Sequence, residues 1–203
     1  MKLPSFAIPQ ETALGKLLGC KIDHHFTILV HGRAGSGKSH LICQFTRELS
    51  SVGSVGIILT EENNISEYLK DRVARYDLPD NVSLIPTRKV DDILAVAKNF
   101  DFLIVDSING MLPQHQHTEF VETLKNLFLK GLIIVNQSNK KGESVGREEL
   151  VHAVCAEISM ESKVAQTGKN RFGGQVGTYT ISFDEPEAKR RSIMLNQIES
   201  KFG

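Results

Sequence analysis

Cysteine is scarce and scattered. The 203 residues hold three, Cys20, Cys43 and Cys155, with no C-x-x-C pair. That pattern excludes a disulfide framework and a thiolate zinc site. Excess charge of either sign is also missing, because 24 Lys and Arg balance 24 Asp and Glu. A surface that traps polyanions everywhere is thereby excluded, while a local basic strip stays open. No apolar run reaches membrane-spanning length. The opening MKLPSFAIPQETALGK has neither the apolar core nor the cleavage site of a secretory leader. Repeats and low-complexity segments are absent. The expectation is a cytoplasmic chain folded as one domain over 1–203, with 1–9 and 199–203 loosely held.

What is present is alternation. Short apolar runs at 26–31, 55–60, 82–86, 101–106 and 131–136 are separated by helical patterns at 10–19, 38–50, 63–76, 90–99 and 117–129. This is the rhythm of βαβ units. VGIIL, FLIV and GLIIV read as near-continuous apolar strands, as parallel strands covered on both faces do. After residue 150 the pattern changes to VHAVCAEISME, GTYTISFDE and RRSIMLNQIE, which suggest antiparallel strands closing one edge. The fold class that follows is α/β, a mainly parallel twisted sheet with helices on both faces.

HGRAGSGKSH, residues 31 to 40, fits G-x-x-x-x-G-K-[ST] from Gly32 to Ser39, with an apolar strand ahead and a helical pattern behind. A triphosphate needs concave backbone N–H groups at a helix start, and glycines that let the backbone come close. Gly32, Arg33, Ala34, Gly35, Ser36, Gly37, Lys38, Ser39 and His40 are the candidate cradle for ATP. Lys38 would reach the β- and γ-phosphates, and Ser39 would ligate Mg²⁺.

Ligands of such sheets bind beyond the carboxyl ends of the strands. The second strand ends in LTEEN, the fourth in FLIVDS and the fifth in LIIVNQ. Asp106, after four apolar residues, is placed to hold Mg²⁺ through water. Glu61 is the candidate general base for the attacking water, with Glu62 as the alternative. Gln137 is the candidate sensor of the γ-phosphate. His115 and His117, and the DHH stretch at 23–25, read as surface polarity and a turn rather than metal sites.

These strand ends resemble the RecA superfamily of ATPases, and within it the RadA/Sms branch. IILTEEN is similar to that branch's glutamate segment, NQSNKKGESVG to its lysine-containing loop, and LVHAVCAEI to the strand that follows. GKNRFGG carries the branch's KNRFG motif. The resemblance covers about residues 12–185 and implies a RecA-like fold, ATP hydrolysis with Mg²⁺, a homo-oligomeric ring or filament, and action on DNA, single strands favoured. By resemblance, Lys169 and Arg171 reach a nucleotide on a neighbouring subunit or touch DNA. Loop 138–147, with Lys140, Lys141 and Arg147, suits contact with a phosphate backbone. It has no aromatic residue to stack bases, so salt-sensitive and weakly selective binding is expected.

Leu59-Thr60 replaces the branch's usual Ser-Gly before the paired glutamates, and Gln137 stands where histidine is common. The zinc finger and protease-like domain of typical bacterial members have no counterpart in these residues, so a minimal ATPase core is expected. Two alternatives stay open: a nucleotide-switched regulatory or scaffolding protein of the same superfamily, and a small P-loop kinase.

Overall fold

The computed structural model describes residues 5–60, 78–127, 129–138, 147–173 and 176–181. The expected helix 63–76, Glu61, Glu62, Lys140, Lys141 and everything after residue 181 lie outside that set. In chain order the elements are β1 Ser5–Ala7, α1 Ala13–Leu18, β2 Lys21–Asp23, β3 Phe26–Gly32, α2 Lys38–Ser50, β4 Val55–Leu59, β5 Val82–Pro86, α3 Val90–Ala97, β6 Phe102–Asp106, α4 His117–Lys125, β7 Gly131–Gln137, α5 Arg147–Ala153, β8 Ala156–Glu161, β9 Val164–Asn170 and β10 Thr178–Thr180. Ser5–Ala7, from the terminus expected to be loosely held, pairs antiparallel with β2, and Phe6 packs on Phe26 and Phe102.

The main sheet has the order β10-β9-β8-β3-β7-β6-β4-β5. From β8 to β5 every neighbouring pair is parallel, and β9 and β10 run antiparallel at one edge. One expectation is corrected. Ala156–Glu161 enters parallel to β3, and the VHA ahead of it is the end of α5. Parallel entry requires a crossover, and the α5 segment supplies it.

Alternation along the strands fixes which face each residue serves. Ile28, Val30, Ile57, Leu59, Ile104, Ile133 and Val135 pack with α1 and α2. Leu29, Ile58, Leu103, Val105, Leu132 and Ile134 pack with α3, α4 and α5. Extended one residue, the same count puts Gly32, Asp106 and Gln137 on the α2 face, and His31 and Asn136 on the other. α1 is capped from afar: Glu48 of α2 accepts from the amides of Ala13 and Leu14 at 2.8 and 2.9 Å, and Thr12 accepts from Gly15 at 3.0 Å. Burial pushes the Glu48 carboxyl above its usual range, and these amide hydrogen bonds oppose the push.

Candidate nucleotide site

β3 delivers Gly32 at the carboxyl rim of the sheet, between β7 and β8. The chain turns there and enters α2 at Lys38. Gly35 and Gly37 take φ of 75° and 103°, the left-handed region that a Cβ disfavours. A side chain at Gly35 would meet no atom within 4 Å, so its glycine serves the turn and the approach of a ligand rather than packing. At Gly37, which caps α2, a Cβ would come within 3.3 Å of both Met160 and Ile181.

Lys38 Nζ donates to the carbonyls of Gly32 and Arg33, each at 2.9 Å. The ammonium therefore spans the mouth of its own loop. Ser36 is buried, and its hydroxyl has no hydrogen-bond partner within the protein. A buried orphan hydroxyl, a left-handed loop open at Gly35, and the first amides of a 13-residue helix fit an anionic ligand. Among the described residues, Ser39, half-buried in the first turn of α2, and Asp106, on the α2 face of the sheet, are oxygen ligands that could hold a hard divalent cation.

The β8–β9 hairpin buttresses the loop from outside. Ser162 and Lys163 form its turn with φ of 46° and 68°. The Lys163 amide donates to the Ser36 carbonyl at 3.0 Å, and its carbonyl accepts from Ile181 at 2.9 Å. On the opposite face, His31 Nε2 lies 2.8 Å from Glu157 Oε1, with both side chains buried. This links the residue before Gly32 to β8.

Across the rim, Leu59 of β4 is in register with Asp106 of β6, and Gly32 with Gln137 of β7. Gln137 is exposed; its amide donates to Asn109 Oδ1 at 2.7 Å. The Asp106–Ser107 peptide is cis. The structure thus assembles Gly32 to His40, Asp106 and Gln137 on one rim. The candidates Glu61, Lys140 and Lys141 lie outside the described residues, and Arg147 is the first residue of α5.

Lys169 and Arg171 lie elsewhere. β9 runs away from the phosphate loop, from Lys163 beside Ser36 to Arg171, whose amide donates to Cys155 at 3.0 Å near the start of β3. Seven residues at about 3.3 Å each separate Arg171 from the loop by about 20 Å. Within KNRFG, Asn170 donates to Leu18 at 3.1 Å and accepts from the Phe172 amide at 3.0 Å, which fixes the motif to α1. Lys169 Nζ donates to the carbonyls of Val151 and His152 at the end of α5. This is the favourable place for a cation on a helix. Burial, then the charge of Arg171, holds the Lys169 ammonium below its usual range. Arg171 is the exposed member of the pair. His117, expected at the surface, is buried, with Nε2 2.9 Å from the Leu112 carbonyl. His24 and His25 do form a turn.

Sequence reasoning missed Thr60, Arg88, Lys163 and the His31–Glu157 pair. Thr60 carried a signal, its departure from the Ser-Gly pattern, and the alternating segments around Ser162-Lys163 marked a two-residue turn. Arg88 and Glu157 carried none, because their partners are 28 and 126 residues distant in the chain.

A mainly parallel sheet with a glycine loop feeding a helix, and an acid two strands away, defines a P-loop core of the RecA-like type. No protein-family model matches the chain. It is 27% identical over 189 residues to the DNA repair protein RadA of Streptococcus pneumoniae, covering 82% of this chain and 44% of that one. It is 28% identical over 117 residues to the DNA repair and recombination protein RadB of Methanosphaera stadtmanae, covering 51% and 50%. The chain therefore spans about half the length, or less, of these curated relatives. Among solved structures, the flagellar accessory protein FlaH of Methanocaldococcus jannaschii shares the fold with a TM-score of 0.66 at 16% identity over 89% of this chain and 96% of that one. A KaiC-like protein of Pyrococcus horikoshii does so with 0.67 at 17% over 89% and 96%. In fold the chain is a P-loop core of the RecA-like type, and in sequence it is similar to part of RadA. Among the described residues, no helix is long and apolar enough to cross a membrane.

Proposed function

We propose that this chain binds and hydrolyses Mg–ATP as a RecA-type ATPase that assembles into a homo-oligomer and acts on DNA. The observation that carries the reading is the phosphate loop itself, with left-handed Gly35 and Gly37, the orphan Ser36 hydroxyl and Asp106 on the α2 face. The amides from Arg33 to His40 cradle the phosphates, and Lys38 leaves its loop carbonyls to meet the β- and γ-phosphates. Ser39, and Asp106 through water, would hold Mg²⁺, which neutralises phosphate charge. Glu61 takes a proton from the attacking water, with Glu62 as the alternative, and Gln137 reports the γ-phosphate to the loop that follows it.

Arg171 stands about 20 Å from its own phosphate loop. It is a cation for the nucleotide of the next copy, an arrangement that requires a heterologous, repeating contact. Lys169 acts with it by holding the end of α5. Loop 138–147, through Lys140, Lys141 and Arg147, is the proposed DNA contact. The RadA and RadB names of the curated relatives support the DNA reading.

The test is ATP turnover with and without single- and double-stranded DNA across salt. Stimulation by single-stranded DNA that fades with salt is expected. Turnover indifferent to DNA at every salt would leave the ATPase and remove the DNA. Phosphate transfer to a metabolite in place of free phosphate would make the chain a kinase.

A further inference from the structure

β4 and β6 lie side by side, and their last paired residues are Leu59 and Asp106; Asp106 is a proposed site carboxylate at the very end of the ladder, and the other, Glu61, follows Leu59 by two residues. Residues beyond a ladder regain backbone freedom, whereas a reacting group must be held to a fraction of an ångström. Thr60 closes this gap. It is fully buried. Its amide donates to the Asp106 carbonyl at 3.0 Å. Its hydroxyl donates to the Ser107 carbonyl and accepts from the Ser107 amide at 3.1 Å. Its own carbonyl accepts from Nε of Arg88, an exposed side chain that follows β5. Every polar atom of Thr60 is therefore used, and three of its four hydrogen bonds go to the two residues at the end of β6. The Ser-Gly of the resembling branch has no side chain equivalent to this threonine at the second position.

We infer that Thr60, sealed by Arg88, is a positioning residue for hydrolysis: it fixes the peptide bearing Asp106 against the peptide that leads into Glu61. The inference rests on the ATPase reading above. None of the four hydrogen bonds of Thr60 goes to the phosphate loop, so the clasp governs turnover and the demand for Mg²⁺ rather than the grip on the nucleotide. Valine matches the shape of threonine but lacks the hydroxyl, and serine restores the hydroxyl.

The experiment compares the parent chain with T60V, T60S and R88A. It measures kcat, ATP affinity in EDTA, and the Mg²⁺ concentration that gives half-maximal turnover. T60V is expected to lower kcat about tenfold to a hundredfold, as small misplacements of reacting groups do. Its ATP affinity in EDTA should stay within about twofold of the parent and its Mg²⁺ requirement should rise, the signature of an interaction used in the transition state. T60S should recover kcat to within about threefold of the parent, and R88A should lose about threefold or more with unchanged affinity. Parental turnover in T60V, a loss of kcat matched by an equal loss of affinity in EDTA, or a T60S as slow as T60V would overturn the inference. Should T60V fail to fold, R88A decides, because its side chain is at the surface; parental kcat and Mg²⁺ requirement there would overturn it as well. A parent chain that binds no ATP would overturn the ATPase reading itself, and the inference with it.

Discussion

The two rims of the β4–β6 pair are clasped by different chemistry. At the carboxyl rim, the neutral hydroxyl of Thr60 holds both backbone groups of Ser107. At the opposite rim, Asp101 Oδ2 accepts from the amide and hydroxyl of Ser54 at 2.9 and 3.2 Å, while Oδ1 pairs with Lys130 at 2.9 Å. Both clasps join the same two strands across 47 residues of chain. The difference follows from what each rim faces. With phosphates bound there as proposed, a carboxylate clasp would add repulsion, whereas a hydroxyl joins the strands without charge. The far rim meets no phosphate of its own chain and uses charge freely; the exposed Arg171 lies there too. Under the proposed function, one rim receives an anion and the other presents Arg171 to a neighbouring copy.

The sharpest way to break that contrast is Lys38→Ala. Removing the cation at the loop mouth is expected to abolish tight ATP binding, and calorimetry with unchanged affinity would end the phosphate-loop reading. Next in size is Glu61→Gln, which should keep ATP binding and slow hydrolysis by at least about a hundredfold. Arg171→Ala should be nearly as inactive. Mixing the two variants should restore part of the activity, because some sites would pair an intact Glu61 with a neighbour's Arg171. Mixing that restores nothing, in a monomer whose specific activity is independent of concentration, would mean that the far rim serves no neighbour.

A smaller effect is expected from neutralising Lys140 and Lys141 together. DNA binding should weaken similarly for all sequences, and its dependence on salt should flatten by about one to two in logarithmic slope. An unchanged slope in a titration would take this loop out of the interface.

The smallest effect concerns the charged clasp. Hydrogen bonding from Lys130, then from Ser54, holds the Asp101 carboxyl below the usual carboxylate range. An acid whose folded pKa is depressed contributes stability above its unfolded value and loses it as pH falls through the folded one. Asp101→Asn should therefore flatten the fall in stability below about pH 4 without altering turnover at neutral pH. Glu48 works in the opposite sense. Its raised pKa makes stability decline as pH climbs from 4.5 through the folded value, so Glu48→Gln should remove that decline. Thermal melts across pH distinguish the two signs, and an Asp101→Asn melt that parallels the parent at every pH would show the far clasp to be idle.

Much of this was readable in advance because it is local. The strand at 82–86 and the helix at 38–50 match their patterns residue for residue, since an apolar run bounded by turns and a 3.6-residue repeat leave few other arrangements. The antiparallel reading of 151–161 held against β9 but not against β3, for an equally definite reason. Polar alternation reports that one face is less apolar than the other, and strand direction depends on the crossover ahead, here the α5 segment. His117 was misread because exposure is a property of neighbours: the Leu112 carbonyl that receives its ring is set by the turn before α4.

The sequence by itself determined the five parallel strands from Phe26 to Gln137, the glycine loop after the first and the acid at the end of β6, all written in contiguous residues whose conformations follow from glycine, apolar spacing and helix starts. The tertiary structure alone decided which residues meet across the sheet. Strand register, which no local pattern encodes, brought Thr60 to Ser107, Lys163 to Ser36 and His31 to Glu157. Strand direction carried Arg171 to the far rim and set Lys169 against the last carbonyls of α5, so that two cations two residues apart in one motif have different surroundings.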